Sequence, residues 1–233
     1  MPTSNATRAP RVHSAAAQTF ARTDFLRNPY FSELAGGGMP LKAFQDSQRQ
    51  FFFAVTFFAR PMAALVGRIP DPTQRLDILH NVVEEHGDFQ PHLFHHTTFC
   101  DFLRSIQVDP STLQAQALWP EVRAFNSVLT TACVLDEIEV GIACMGMIEF
   151  AFADISAAIG KSVIERGWLT PDTLTHYKLH AAIDHRHADE FFSVVEPVWD
   201  EPQKKYLIEQ GLALGAYIFD RLYRDLHLRS SEP

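Results

Sequence analysis

The sequence predicts an all-α protein. Apolar residues recur at three- and four-residue spacing almost throughout, no stretch alternates with period two for long, and Gly and Pro stand at a few punctuation points. Eight helices follow. The first covers 15–35 and the second 40–66, with a kink expected before Pro61, where a backbone donor is missing. Asp71-Pro72, an N-cap residue followed by a first-turn proline, opens the third at 72–86. Gly87 and Pro91 then interrupt the chain, and Pro91 sits in the first turn of the fourth, 91–106. The next two are 120–132 and 135–164; Thr170-Pro171 repeats the cap-plus-proline signature for 171–196, and the last runs over 201–226.

At 233 residues the chain can bury one sizeable core, and no Ser/Gly/Pro-rich linker divides it. A loose tail is expected over 1–14 and a single domain over 15–233. The formal net charge of −8 and the lack of a Lys/Arg cluster argue against a nucleic-acid or anionic-membrane surface, leaving a small molecule as the expected partner. Three cysteines without C-x-x-C spacing, together with no signal peptide or unbroken apolar run of spanning length, point to a reducing cytoplasm.

Nine of the eleven histidines occupy two short segments, five between 80 and 96 and four between 176 and 187. In "HAAIDHRH", His180, Asp184 and His187 fall within roughly a 60° sector of one helix, because i, i+4 and i+7 share a face. His176 and His185 join that sector less closely. The face continues through Phe191 and Val194, so the three polar side chains point toward the core. A carboxylate there is costly unless partnered, and imidazoles with carboxylates suit iron, zinc or manganese. A buried Asp–His pair without metal is the alternative reading.

Two further segments carry the same character. Glu85 follows Ile78 and Val82 on the buried side of its helix, whereas Glu84 shares a stripe with Asp77 and His80, so Glu85 is the better ligand candidate. His95 leads the apolar stripe Phe99, Phe102 and Ile106; His92 lies a turn earlier on nearly the same face, and His96 is rotated away. Glu149 stands inside "IACMGMIEFAFADISAAIG" on the face of Ile138, Ile142 and Met145, with no Lys or Arg within two turns to neutralise it. The aromatic run "QFFFAVTFFARP" reads first as core, and as a pocket wall for an apolar substrate if part of it reaches the site. Arg60 or Arg186 could then hold a substrate carboxylate.

Assembled, Glu85, His95, Glu149 and the His180, Asp184, His187 triplet make the sequence resemble the haem-oxygenase-like diiron oxidases and oxygenases. The family pattern is a Glu, a His after a variable gap, a second Glu far downstream and H-x-x-x-D-x-x-H, and the likeness runs from about residue 24 onward. The resemblance implies a haem-oxygenase-like bundle of seven to eight helices that binds no haem. It implies two Fe2+ ions held by those six residues, which act catalytically through the metals, with O2 as cosubstrate. His92 fills a slot where some amino-acid N-oxygenases of the family carry an additional ligand. The tyrosine that para-aminobenzoate-forming members consume as their own precursor is replaced by Phe31, beside Tyr30, so an external substrate is expected. An amino acid of specialised, natural-product metabolism is the first choice, with N-oxygenation, oxidative C–C cleavage or rearrangement, or desaturation as outcomes. A fatty-acid oxidative decarboxylase is the second. A metal-free thiaminase-like hydrolase using Cys133 comes from a different class, as does a cofactor-free scaffold. The family also leads one to expect a homodimer and, in some members, an electron donor.

Overall fold

Nine α-helices, joined by turns and short 3-10 segments, and no strand are found among the described residues, 10–115 and 118–231, of the computed structural model. In chain order they are α1 (Arg11–Thr23), α2 (Pro29–Gly36), α3 (Leu41–Arg68), α4 (Arg75–Glu85), α5 (His95–Ser105), α6 (Pro120–Val134), α7 (Ile138–Glu165), α8 (His176–Val195) and α9 (Pro202–Ser230). The all-α expectation holds, and the differences lie at helix ends and at two breaks within expected helices.

The predicted helix over 15–35 is two helices. Asp24 takes a left-handed conformation (φ 51°, ψ 54°) that ends α1, and one 3-10 turn, Phe25–Arg27, follows. Asn28 then accepts from the Tyr30 amide at 3.0 Å, with Pro29 in the first turn of α2, so Asn28-Pro29 is a start signal that apolar periodicity overran. Of the expected tail, residues 1–9 lie outside the described residues, while Arg11–Ser14 already belongs to α1. The reason is the Glu196 carboxylate, which accepts from the amides of Arg11 (3.0 Å) and Val12 (2.8 Å) and satisfies donors that a helix start leaves open.

Asp71 caps a turn rather than a helix, accepting from the Thr73 amide at 2.7 Å, and α4 begins only at Arg75. Likewise Thr170 closes a turn with Thr173, and α8 starts at His176. The expected helix over 91–106 divides into a 3-10 turn, Pro91–Leu93, an extended Phe94 and α5. Pro61 lies within an uninterrupted α3.

Helix α7 is the axis of the bundle, packed chiefly against α8 and α9, with α3 and α6 closing the remaining side. Both α3 and α7 are long and apolar enough to cross a membrane, but 83% of the α7 window is buried inside the bundle, against 33% for α3. The approach of α9 to α7 depends on missing side chains. A Cβ on Gly211 would meet the Val140 carbonyl oxygen at 2.5 Å, and one on Gly215 the Cys144 oxygen at 2.5 Å. Four residues apart, the two glycines form one face that lets the backbones touch.

This packing predicts opposite signs for two glycine substitutions. Gly215→Ala should destabilise by about 1–3 kcal/mol through overpacking, despite alanine's better helix propensity. Gly67→Ala in α3, where an added Cβ meets nothing within 4 Å, should be neutral or stabilising by up to about 1 kcal/mol. Urea denaturation of both variants measures the difference.

Candidate metal centre

Four helices bring six acidic and imidazole side chains to one buried locus. Glu85 is the last residue of α4, His95 the first of α5, Glu149 lies in the middle of α7, and His180, Asp184 and His187 face inward from α8. None is more than 8% exposed, and Asp184 and His187 are completely buried. Glu85 and His95 meet because the loop between them reverses sharply. Gly87, Asp88 and Phe89 take φ values of 54°, 52° and 65°, a left-handed run that costs energy at its two side-chain-bearing positions. A Cβ on Gly87 would meet the Leu93 carbonyl carbon at 2.5 Å, so only glycine closes this loop.

The donors form two linked groups. In one, His95 Nδ1 lies 2.9 Å from Glu85 Oε1, and the His95 and His180 rings are 4.5 Å apart. In the other, one ligand atom each from Glu149, Asp184 and His187 lie within 4.8 Å of one another. Asp184 bridges the groups, its Oδ1 accepting from His180 Nδ1 at 2.9 Å and standing 3.7 Å from His187 Nδ1. The Asp–His pairing weighed from sequence is therefore present, but it does not satisfy the cluster. Among the described residues, Glu149 Oε1, His180 Nε2 and His187 Nδ1 are buried without a hydrogen-bond partner.

Electrostatics tell the same story. Burial pushes the Glu149 carboxyl up to about 7, with the neighbouring Asp184 and Glu85 adding to the shift against His187, and it holds Asp184 well above the usual carboxylate range. Burial, reinforced by His95, lowers His180 to about 3. His187 goes the other way: burial opposes its charge, yet the Glu149, Asp184 and Glu84 carboxylates raise it to about 10. Glu85 and His95 behave as an ion pair, the Glu lowered and the His raised against the cost of burial. Orphaned donors of mixed oxygen and imidazole type, under strain to shed or share protons, fit a divalent cation such as iron.

A narrow apolar cavity of about 40 Å3 reaches this cluster, with Glu85, His95, Glu149 and His180 in its wall. Phe51 and Phe58 of the aromatic run line it; Phe52, Phe53 and Phe57 do not. His176, which joins the His180–Asp184–His187 sector less closely, lines it as well. Its Nδ1 contacts the Thr98 hydroxyl at 3.2 Å, its Nε2 has no partner, and its ring lies 4.3 Å from that of His180. The signal was available: His176 precedes His180 by one helical turn, extending the stripe to i, i+4, i+8 and i+11.

Other expected residues stand elsewhere. His92 is exposed on the Pro91–Leu93 turn, because the helix restarts at His95 and not at Pro91; the structure does not bring it into the cluster. Arg60 is exposed over the Phe57 ring, 5.8 Å from its centroid. Arg186 pairs with Glu84 and Glu190, and neither arginine lines the cavity. Phe31 and Tyr30 are buried away from the cavity, the Tyr30 hydroxyl accepting from Gln48 Nε2 at 2.7 Å and bonding Ser47 at 2.9 Å. Cys133 is fully buried outside the cavity, and burial pushes its thiol up to about 12.

A helical bundle that encloses carboxylates and imidazoles at one buried locus is the arrangement of metal-binding helical proteins. Residues 45–218 match the family described as iron-containing redox enzymes, and the chain belongs to that family. It is 20% identical over 183 residues to the 4-aminobenzoate synthase of Chlamydia muridarum, covering 78% of this chain and 76% of the relative. Among solved structures, a domain of unknown function with a haem-oxygenase-like fold from Shewanella denitrificans superposes with a TM-score of 0.77 at 15% identity, covering 95% of this chain and 94% of the other. A TenA homologue from Pseudomonas syringae pv. tomato gives a TM-score of 0.74 at 14% identity, with 98% and 97% covered.

The position of Cys133 predicts its chemistry. In the native protein at pH 8 its thiol should react with an aromatic disulfide reagent at least about 100-fold more slowly than a free cysteine, and at the normal rate once the chain is unfolded. Timed reagent uptake with and without denaturant, compared with Cys133→Ala, measures this.

Proposed function

We propose that the protein is an O2-dependent nonhaem diiron oxidase or oxygenase. The observation that carries this reading is the buried pair of donor groups, Glu85–His95–His180 and Glu149–Asp184–His187, with unpartnered donor atoms beside an apolar cavity. Each group supplies one side of a two-ion site, and a six-ligand N/O set exceeds what one four-coordinate zinc would use. When bound, the two ferrous ions would supply positive charge and the electrons for O2 reduction. The chain's own part is to hold, orient and exclude.

Phe51, Val55, Phe58, Phe125, Phe152 and Phe219 would keep water from the reacting end of the substrate and contact its apolar body. The unpartnered Nε2 of His176 would accept a hydrogen bond from a substrate N–H or O–H group. The cavity of about 40 Å3 is too small for an amino acid, and Val55 and Phe58, the half-buried side chains of its wall, are the ones whose displacement would admit it. No Lys or Arg is among the lining residues, so a substrate carboxylate would turn toward the ions and its apolar part toward the phenylalanines. An amino acid with an apolar or aromatic side chain fits this division, and a fatty acid fits it second. Unlike a protein that spends its own tyrosine, this chain would act on an external substrate, since Tyr30 is tied to Ser47 and Gln48 and Phe31 carries no hydroxyl.

The likeness to a TenA homologue favours one second reading, a metal-free thiaminase-like hydrolase using Cys133. The depth and raised pKa of that thiol weigh against it. Chelation separates the two: the hydrolase keeps its activity without metal, and the oxidase loses it.

Anaerobic loading should bring close to two Fe(II) per chain, read by metal analysis, and O2 uptake should then depend on an added amino acid. A single tight zinc sufficient for turnover overturns the reading. His95→Ala should lower iron occupancy and abolish O2 uptake, whereas exposed His92→Ala should leave both within about twofold, as surface changes usually do. Intact-protein mass spectrometry after aerobic turnover should find Tyr30 unaltered; loss of its side chain with release of 4-aminobenzoate would argue for self-sacrificing chemistry.

A further inference from the structure

Outside the six donors, Glu84 makes an unusual set of contacts. Its Oε2 lies 2.9 Å from His187 Nε2, and its two oxygens accept from Arg186 Nη2 at 2.7 and 2.9 Å. Arg186 also donates to Glu190 Oε1 at 2.9 Å, and Glu190 accepts in turn from the Asn81 side-chain amide. Adjacent residues of α4, Glu84 and Glu85, thus engage different targets: Glu85 grips His95 inside the cluster while Glu84 reaches the outer edge of His187. Arg186 and His187 are likewise adjacent on α8. Glu84 therefore ties α4 to two adjacent residues of α8.

The chemistry of these groups sets the proton on His187. A guanidinium donates and never accepts, so Arg186 keeps Glu84 an ionised acceptor. A carboxylate facing a ring nitrogen at hydrogen-bond distance requires that nitrogen to carry hydrogen, which places N–H on Nε2. In the neutral ring the lone pair is then on Nδ1, the atom that faces Glu149 Oε2 at 3.8 Å and Asp184 Oδ1 at 3.7 Å and has no hydrogen-bond partner of its own. We infer that Glu84, braced by Arg186, is a positioning residue that fixes the tautomer and orientation of His187 so that Nδ1 is presented to a metal ion between Glu149 and Asp184. The inference rests on the reading of His187 as a ligand. It sets Glu84 apart from the Glu149–Asp184–His187 group, because its carboxylate meets His187 at Nε2 while that group faces Nδ1, and it removes Arg186 from substrate binding.

The test uses the full chain, anaerobic titration with Co(II) as a visible-absorbing probe, and long-range proton–nitrogen correlation of the histidine rings in the diamagnetic Zn(II)-loaded protein, where a bound ion keeps the His187 ring neutral. Wild type should show His187 protonated at Nε2. Glu84→Ala should bind one of two Co(II) ions about 10- to 100-fold more weakly, the loss typical of a partner behind a ligand, and its His187 should populate both tautomers. Glu84→Gln, whose amide oxygen still accepts the Nε2 proton, should recover at least part of the affinity and keep the tautomer; being isosteric, it also guards against misfolding. Glu190→Gln, which touches Arg186 but not His187, should bind as wild type. If Glu84→Ala and Glu84→Gln both bind two Co(II) at wild-type affinity while His187→Ala loses one, the positioning role is overturned and the ligand role stands. If His187→Ala also binds both ions normally, the ligand reading fails with it.

Discussion

Three carboxylates held out of water among imidazoles are the constraint around which this bundle is arranged. An isolated ionised carboxylate in an apolar interior is far too costly to persist, so each must be protonated, paired or bound to a cation. Glu85 is settled by His95, and Asp184 in part by His180. Glu149, in the most buried helix, is not settled by the protein alone. Its raised pKa and the opposite shifts of His180 and His187 express one unresolved charge balance shared across α7 and α8. A divalent cation resolves it by accepting lone pairs that now have no donor.

The rest of the architecture serves to hold that imbalance in place. α7 carries Glu149 because it is enclosed by α8 and α9 along most of its length, and the enclosure depends on backbone contact at Gly211 and Gly215. The left-handed loop from Gly87 to Phe89 costs conformational energy, yet it lets the end of one helix and the start of the next face each other at hydrogen-bond distance. The Glu84–Arg186 contact then aligns those two helices' donors with the ones on α8.

Much of this was legible in the sequence, and the limits are physical. The i, i+4, i+7 spacing of His180, Asp184 and His187 placed them on one face because helical geometry is local, and a lone Glu149 in an apolar run announced itself by its cost. The stripe through Phe99 and Phe102 pointed His95 inward. The limits are also local: apolar periodicity continues across Asn28-Pro29, and the first-turn proline signal at Pro91 marks a 3-10 turn and not the helix start, so His92 leaves the face of His95. Glu84 could not be read at all. Its i, i+4 relation to His80 put it on an outer stripe, and only the tertiary register of α4 on α8 reveals that the outer stripe meets the back of His187.

Phe219, on α9, has a consequence for the order in which the molecule is made. Every donor-bearing helix precedes α9 in the chain, so during vectorial synthesis the carboxylates and imidazoles emerge while the wall that Phe219 completes is still missing. Until α9 docks its two glycines on α7, the site stands open to water and to ions from solution. The newborn chain therefore passes through a stage in which the charged cluster is hydrated and accessible, and the arrival of a single helix encloses it behind an apolar wall.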